Sequence, residues 1–563
     1  MSEVFGLRAA LRLAACPGML TRRILQLVVT LGLFAFVYCQ QIPAQKNSHP
    51  ITEFLQQSRP DFNHARSLAV APRSGEDAFV VVSLKSGRLV LAHNPRLPLM
   101  PASSVKILTT IAALEILGPE HRFETRLAYD GSIADGTLQG NLYLIGGGDP
   151  ELEAADLDEM IRHLHTAGIR QISGQLIADG SLFASFQEVS DLMADDAYYN
   201  TAPGALNVNM GMQYLHWRTD DYSSFSGRDP RQYYPASRAQ VEKERLQNLR
   251  ILPDLDYNRI ESSSRLAASH DKADLEYRPA EKSKDVPYLQ GTWRLHPDFF
   301  KQSENRWRNS TLLPVKNPAL FSGLVFQKMA AIQGIRIPAV AVGQTPRLGI
   351  STIATVQSPA LRRIVRENLH YSSNLIAETL LLHIARALGK TEARTLAAAG
   401  TVLGDWWQAK LPAVDWSGFV MAGGSGLDPA QRITALQMAA VLVYARETMP
   451  WFSSLLPLNG VPGVFQGKLW HPADAMHVQA KPGAIFYAVS LAGYYWSDQG
   501  EPFVFVSLIN DLQKRAFLDG KDAAQALRYE KAAPGWNGIH RRIIDHRLSF
   551  WLRGKFERSE QTK

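Results

Sequence analysis

The chain is almost without thiols. Its 563 residues include two cysteines, Cys16 and Cys39, and none follows residue 39. That excludes a disulfide scaffold, a cysteine zinc site and a cysteine nucleophile from the body of the protein. A thiol-free body is also at ease in an oxidising compartment. Charge of one sign is equally scarce. Lys plus Arg number 60 and Asp plus Glu 53, a balance of +7. Three of those charges sit in the first 40 residues, where Arg8, Arg12, Arg22 and Arg23 face the single acid Glu3. What remains is too dilute to mark a nucleic-acid surface. The charge-dense runs between residues 216 and 310 alternate in sign, so their net field is small. No metal-ligand spacing is present: His163 and His165 are two apart on a predicted helix, point different ways and read as surface residues. No internal repeat is visible. Apolar residues make up 46% and charged residues 20%, a globular composition. The length allows about two to four domains at roughly 150 residues each.

Long hydrophobic runs are absent too, with one exception. Ile24–Cys39 holds 16 uncharged residues directly after Arg22-Arg23. A spanning helix needs about 20. The run fits the apolar region of an export signal, followed by the polar QQIPAQ. A start at Met19 would leave MLTRR as an ordinary basic leader. An uncleaved anchor is the first alternative. A lipid-modified Cys39 is the second, with the bulky Tyr38 standing where small residues are usual. Each reading puts the body outside the cytoplasm. Residues 1–40 are therefore read as signal peptide or membrane anchor and 41–65 as a linker, with membrane association confined to this segment.

Residues 78–94 alternate apolar and polar around Ser86-Gly87 and predict a hairpin. Ala102–Leu117 follows as a helix, with Ile107, Leu108, Ile111, Leu114 and Leu117 at helical spacing and Gly118-Pro119 as its stop. From 124 to 353 the texture becomes short alternating strands between Gly-Asp turns. After 353 long helices return, with a turn at Tyr371–Ser373 between two of them. Near the end, AIFYAVSLAGYYW and PFVFVSLIND predict paired central strands. The basic tail carries Ile543, Ile544, Leu548, Trp551 and Leu552, which suit docking on its own domain, with a membrane surface as the alternative.

Chemistry is suggested by three short patterns. Ser103 and Lys106 share a helical face, three residues apart. A serine hydroxyl needs a neighbouring base, and a lysine serves when burial lowers its pKa. The helix start also offers unpaired N–H groups for developing negative charge. The second pattern, Ser372-Ser373-Asn374, puts a hydroxyl and an amide in an interhelical turn. The third, Lys481-Pro482-Gly483, puts a cation and a close-approach glycine at the opening of the strand AIFYAVSLAGYY. Each alone is weak. Together, in this order and these contexts, they form the signature of penicillin-binding proteins and serine β-lactamases.

The sequence resembles the D-alanyl-D-alanine carboxypeptidase/endopeptidase family of low-molecular-mass penicillin-binding proteins, peptidase family S13. The stretches LMPASSVKILTTIAAL, GNLYLIGGGDPEL, ISGQLIADGSLF, APGALNVN, NPALFSGLVFQKMAAIQGI, HYSSNLIAETLL, GGSGLDP and AKPGAIFYAVSLAGYY carry the likeness over residues 66 to 515. The 265 residues between Lys106 and Ser372 fit it too. That family inserts domains at this point, whereas β-lactamases do not. The resemblance implies an α/β fold: a transpeptidase-like domain, an antiparallel sheet flanked by helices, from 66–123 and 354–555, with mainly-β inserted domains at 124–353. It implies a serine DD-peptidase, a hydrolase acting on peptidoglycan stem peptides in the periplasm, with β-lactams as covalent inhibitors and no cofactor or metal.

By the same resemblance Ser103 would be the nucleophile and Lys106 its base. Ser372 would relay a proton between Lys106, Lys481 and the leaving amine. Asn374 would hold the acyl amide, and Lys481 the terminal carboxylate. The backbone N–H groups of Ser103 and Ala484 would form the oxyanion hole, with Gly483 letting the strand approach. Two departures stand out. Pro482 replaces the family's threonine, removing a hydroxyl and an N–H, so its position must not donate in the ladder, as on an edge strand. Gly423–Asp428 changes the first and last residues of an Asp-Gly-Ser-Gly-Leu-Ser pattern. These motivate an alternative, a catalytically weak or inactive peptidoglycan-binding scaffold. A β-lactamase is a further reading, opposed by the insertion and by the lack of an evident deacylating carboxylate.

Overall fold

The computed structural model describes residues 75–217, 249–262, 275–280, 288–295, 299, 310–461, 474–518 and 523–552. The readings for residues 1–40 and 41–65 lie outside them. In chain order, β1 (Glu76–Ser83) and β2 (Leu89–His93) lead into a 3-10 turn at Ala102–Val105 and helix α1 (Lys106–Leu117). The next segment holds β3 (Glu124–Tyr129), β4 (Leu142–Ile145), α2 (Ala154–Thr166), β5 (Leu176–Asp179), α3 (Pro318–Ile332), β6 (Val340–Val342) and β7 (Ser351–Gln357). Helices α4 (Leu361–Tyr371), α5 (Asn374–Ala387), α6 (Leu396–Lys410) and α7 (Ala435–Thr448) follow. Strands β8 (Val478–Ile485), β9 (Ala488–Trp496) and β10 (Pro502–Asn510) and helix α8 (Ala523–Leu552) complete the described chain.

The two sequence-distant halves share one sheet, ordered β8-β9-β10-β1-β2 and antiparallel throughout. β9 is buried at every residue but the last, and β10 along its last seven residues, because helices cover both faces. On one face Phe79, Val81, Val478, Ala480, Val489 and Phe505 pack against Ala533, Trp536, Ile543, Ile544 and Leu548 of α8. The tail thus docks on its own sheet. On the other face α7 lies over β10 and β1, and α1 packs on α5. A strand alternates its side chains. Val478 and Ala480 therefore point toward α8, and the odd-numbered Lys481 and Gly483 toward the helices that carry the other motifs.

One expectation is corrected here. Lys481-Pro482-Gly483 does not open the strand running through AIFYAVSLAGYY. It lies inside β8, and the stretch is two strands joined at Phe486-Tyr487, with Tyr487 at φ 58°. No Gly, Pro, Asn or Asp marks that turn, which is why it reads as continuous strand. The edge position foreseen for Pro482 is what the sheet order shows.

Among the described residues the inserted segment builds a second sheet, β6-β5-β4-β3-β7, and three three-stranded sheets. In the larger sheet β4-β5 and β5-β6 are parallel and the other pairs antiparallel. Helices α2 and α3 pack on it, burying Leu157, Met160, Ile161, Phe321, Leu324 and Val325. The division drawn at 353/354 falls inside β7, which pairs with β3 as far as Gln357.

Candidate active site

The nucleophile turn is braced from several sides. Asn510, at the end of β10, accepts from Met100 N–H at 2.6 Å and donates to Met100 O at 3.1 Å. Pro101 O accepts from the hydroxyls of Ser104 at 2.8 Å and Ser490 at 2.6 Å. Between them Ala102 is held at φ 47°, a left-handed conformation that an L-residue adopts only under constraint. Ser103 comes next, in the 3-10 turn just ahead of α1.

Lys106 is fully buried beneath it. Its Nζ donates to Ser103 Oγ at 3.0 Å, Asn374 Oδ1 at 2.7 Å and Ser425 O at 2.7 Å. Burial lowers its pKa to about 7, against an opposing pull from Glu378. A lysine in that range is substantially neutral at neutral pH and able to accept a proton.

Glu378 went unnoticed in the sequence. It is buried on α5, and its carboxylate accepts from Gly424 N–H and Ser425 N–H, each at 2.8 Å. Burial raises its pKa and these hydrogen bonds counter it. The Gly423–Gly426 loop is thereby held against α1, where Thr109 Oγ1 donates to Gly424 O at 2.8 Å. The glycines follow from crowding: a Cβ at Gly424 would stand 2.6 Å from Ala377 O, and one at Gly426 2.1 Å from Ala102 O. Only the repeated glycines of this loop hinted at such close approach.

Ser372 caps α4 at φ 61° and Ser373 caps α5 with its hydroxyl, so the chain reverses between two helices. That left-handed residue aims Ser372 Oγ at Lys481, whose Nζ donates to it at 2.8 Å. Lys481 is fully buried and donates also to Pro482 O at 2.9 Å. Two groups result: Ser103, Lys106 and Asn374 in one, Ser372 and Lys481 in the other. Among the described residues no hydrogen bond joins Ser372 to Lys106.

Strand β8 forms one wall. Val478 N–H donates to Asn459 Oδ1 and Ala480 N–H to Pro457 O, so even-numbered positions turn their N–H groups away from β9. Pro482 belongs to that set and removes no bond from the ladder. Ala484 continues it, directing its N–H to the open side of the strand. At Gly483 a Cβ would lie 2.8 Å from both Pro101 O and Ser103 N, so only glycine lets β8 pass this close to the nucleophile turn.

Of these residues Ser103, Ser372, Asn374 and Ala484 line one cleft of about 540 Å³, while Lys106 and Lys481 are buried behind them. The inserted segment forms its opposite wall with Met193, Tyr198, Tyr199 and Met210, and α8 adds Asn537 and Arg541. Tyr199 O accepts from Asn374 Nδ2 at 2.9 Å, a contact the sequence did not announce. A second tie is His383 on α5, hydrogen-bonded to Gly148 O at 2.9 Å and stacked on Phe123. Burial lowers its pKa to about 4, which keeps it neutral. Among the described residues, no three His, Cys, Asp or Glu side chains converge where a metal could sit.

Residues 65–234 and 303–531 match the D-Ala-D-Ala carboxypeptidase 3 (S13) family. The chain belongs to that family. It is a serine-type DD-peptidase by family, as the three motifs and their long insertion implied. A D-alanyl-D-alanine carboxypeptidase from Actinomadura sp. is 27% identical over 454 residues, 77% of each chain. DacB from Haemophilus influenzae, a D-alanyl-D-alanine carboxypeptidase, is 23% identical over 461 residues, 78% of this chain and 86% of its own. The crystal structure of H. influenzae penicillin-binding protein 4 has the same fold, at a TM-score of 0.63 and 20% identity. It covers 86% of this chain and 99% of that one.

Proposed function

We propose that this S13 enzyme cleaves the bond between two D-amino acids of peptidoglycan stem peptides through an acyl-enzyme on Ser103. The observation that carries this is the buried Lys106 Nζ 3.0 Å from Ser103 Oγ, with its pKa brought to about 7. Ser103 Oγ attacks the scissile carbonyl and its proton passes to neutral Lys106. The oxyanion is met by the N–H groups of Ser103 and Ala484. Ser372, hydrogen-bonded to Lys481, gives its proton to the departing amine and recovers one from Lys481. Once the amine has left, the proton on Lys106 returns through solvent in the cleft to Lys481. Neutral Lys106 then takes a proton from the water that attacks the ester and passes it to Ser103 Oγ as the ester bond breaks, freeing the shortened peptide and Ser103.

Asn374 keeps one amide hydrogen for the carbonyl of the acyl peptide, and Lys481 offers positive charge to the terminal carboxylate. With Pro482 in place of threonine, that carboxylate lacks one hydroxyl donor. β-Lactams, which present a strained amide to the same nucleophile, would stop at the acyl-enzyme. H. influenzae penicillin-binding protein 4 has been crystallised with a β-lactam. The substrate places the enzyme outside the cytoplasm, in the periplasm if residues 24–39 act as the export signal or anchor.

The inactive-scaffold alternative requires a broken centre, and the hydrogen bonds at Ser103, Lys106, Ser372 and Lys481 speak against it. The test is release of D-alanine from a peptide ending in D-Ala-D-Ala. The full chain should release it and Ser103→Ala should not. Equal release by both, or none by a folded wild type, would refute the proposal.

A further inference from the structure

The amide of Asn374 has two ends of nearly equal shape, one accepting and one donating. Its oxygen faces Lys106 Nζ at 2.7 Å and its nitrogen faces Tyr199 O at 2.9 Å. When Lys106 is an ammonium it has only hydrogens to offer, and by itself it draws the amide oxygen. Proton transfer from Ser103 requires the neutral amine, which carries a lone pair. A neutral amine serves the amide either way: it donates to Oδ1 or accepts from Nδ2. The second arrangement spends the lone pair that Ser103 needs.

A backbone carbonyl has no such freedom. Tyr199 O only accepts, so it tolerates the amide nitrogen and repels the amide oxygen. Among the described residues, and before substrate binds, it is the partner of Asn374 that distinguishes the two orientations when the lysine is neutral. The carbonyl is itself held by its neighbours. Asn200 is fully buried, and its Oδ1 accepts from Val189 N–H at 3.1 Å and Ser190 N–H at 2.9 Å. Its Nδ2 donates to Ser190 O at 2.8 Å. Thr201 Oγ1 donates to Tyr198 O at 2.8 Å. Glu188, at the start of this loop, is paired with buried Lys316 at 3.0 Å. The loop is therefore tied into the insertion at several points on either side of Tyr199.

We propose that the Tyr199 carbonyl, braced by Asn200, is a positioning group of the catalytic centre that holds the Asn374 amide so that neutral Lys106 keeps its lone pair for Ser103. The insertion is on this view part of the acyl-transfer apparatus. The inference rests on the reading of Lys106 as the general base.

The test compares wild type, Asn200→Ala and Asn200→Asp, each as the full chain. Aspartate retains the acceptors for Val189 and Ser190. The first readout is the rate of acylation by benzylpenicillin against pH. In Asn200→Ala the plateau above neutrality should fall about tenfold, a fraction of what a general base supplies. The midpoint should also move to lower pH, because a flipped amide stabilises the neutral amine. Asn200→Asp keeps those acceptors but turns its second oxygen on Ser190 O and the Glu188 carboxylate, so its rate and midpoint should fall between those of Asn200→Ala and wild type. A purely structural defect would lower the fraction acylated and leave rate and midpoint alone.

The second readout needs no activity. In protein labelled with 15N-asparagine, hydrogen exchange of the Asn374 side-chain amide should quicken in Asn200→Ala. If that variant does not fold, Thr201→Val loosens the same turn more gently and should shift both readouts in the same direction. Wild-type rate, midpoint and exchange in a folded loosened variant would overturn the proposal. A wild type that forms no adduct would overturn the proposed function instead, and the exchange measurement would still decide whether Tyr199 holds the amide.

Discussion

At the scale of single residues, the account turns on Lys106. Its pKa is lowered to about 7 by burial and pulled upward by Glu378. Only the neutral form accepts the Ser103 proton, so acylation by a β-lactam should rise with pH through about 7 and then level off. Glu378→Gln removes a charge that favours the ammonium, so the midpoint should move to lower pH. A flat profile, or a midpoint moving upward in that variant, would count against Lys106 as the base. Stopped-flow acylation between pH 5 and 9 reads both. Pro482→Thr restores a hydroxyl toward the substrate carboxylate, and a hydrogen bond to a charged group contributes about 1.5–3 kcal/mol. Turnover of a D-Ala-D-Ala peptide should rise roughly tenfold or more by that arithmetic. An unchanged rate would mean that the missing hydroxyl does not limit the enzyme. Ser103, Lys106, Ser372, Asn374 and Lys481 were legible because each sits in a short motif. Glu378 was not, because its role depends on a loop 46 residues further along the chain.

At the scale of elements, α8 and β8 carry the strongest expectations. Leu548 is fully buried between α8 and the sheet. Leu548→Ala should cost about 2–5 kcal/mol of stability, the usual range for such a truncation. Its denaturant midpoint should fall with no change in slope. A midpoint equal to wild type would show that the tail helix is not part of the cooperative fold. Gly483→Ala should both lower stability and suppress acylation, since its methyl would stand 2.8 Å from Ser103 N and Pro101 O and 2.3 Å from Ser490 Oγ. The helix expected over Ala102–Leu117, whose first turn is 3-10 and whose α-helical part is Lys106–Leu117, the turn at Tyr371–Ser373 and the β9–β10 hairpin were readable from period and punctuation. The Phe486-Tyr487 turn was not, because a left-handed tyrosine replaces the usual turn residues. Helix α3 also escaped notice. Pro318–Val325 is buried almost without a break, so its first two turns show no polar stripe.

At the scale of the whole molecule, chain order hides the main relation. Strand β1 pairs with β10 across more than 400 residues, and the insertion returns to the cleft it interrupts. Motif order and spacing revealed that an insertion exists. They could not reveal that Tyr199 reaches Asn374, because a backbone carbonyl leaves no mark on residue identity. The contact makes the insertion one wall of the cleft, which a view of it as a spacer would miss.

The central claim is that Ser103 becomes acylated with Lys106 as its base. The most direct measurement is intact and peptide mass spectrometry of the protein after incubation with benzylpenicillin, beside Ser103→Ala. A penicilloyl adduct located on Ser103 and lost in the variant is the expected result. A folded protein that carries no adduct, or carries it on another residue, would contradict the account.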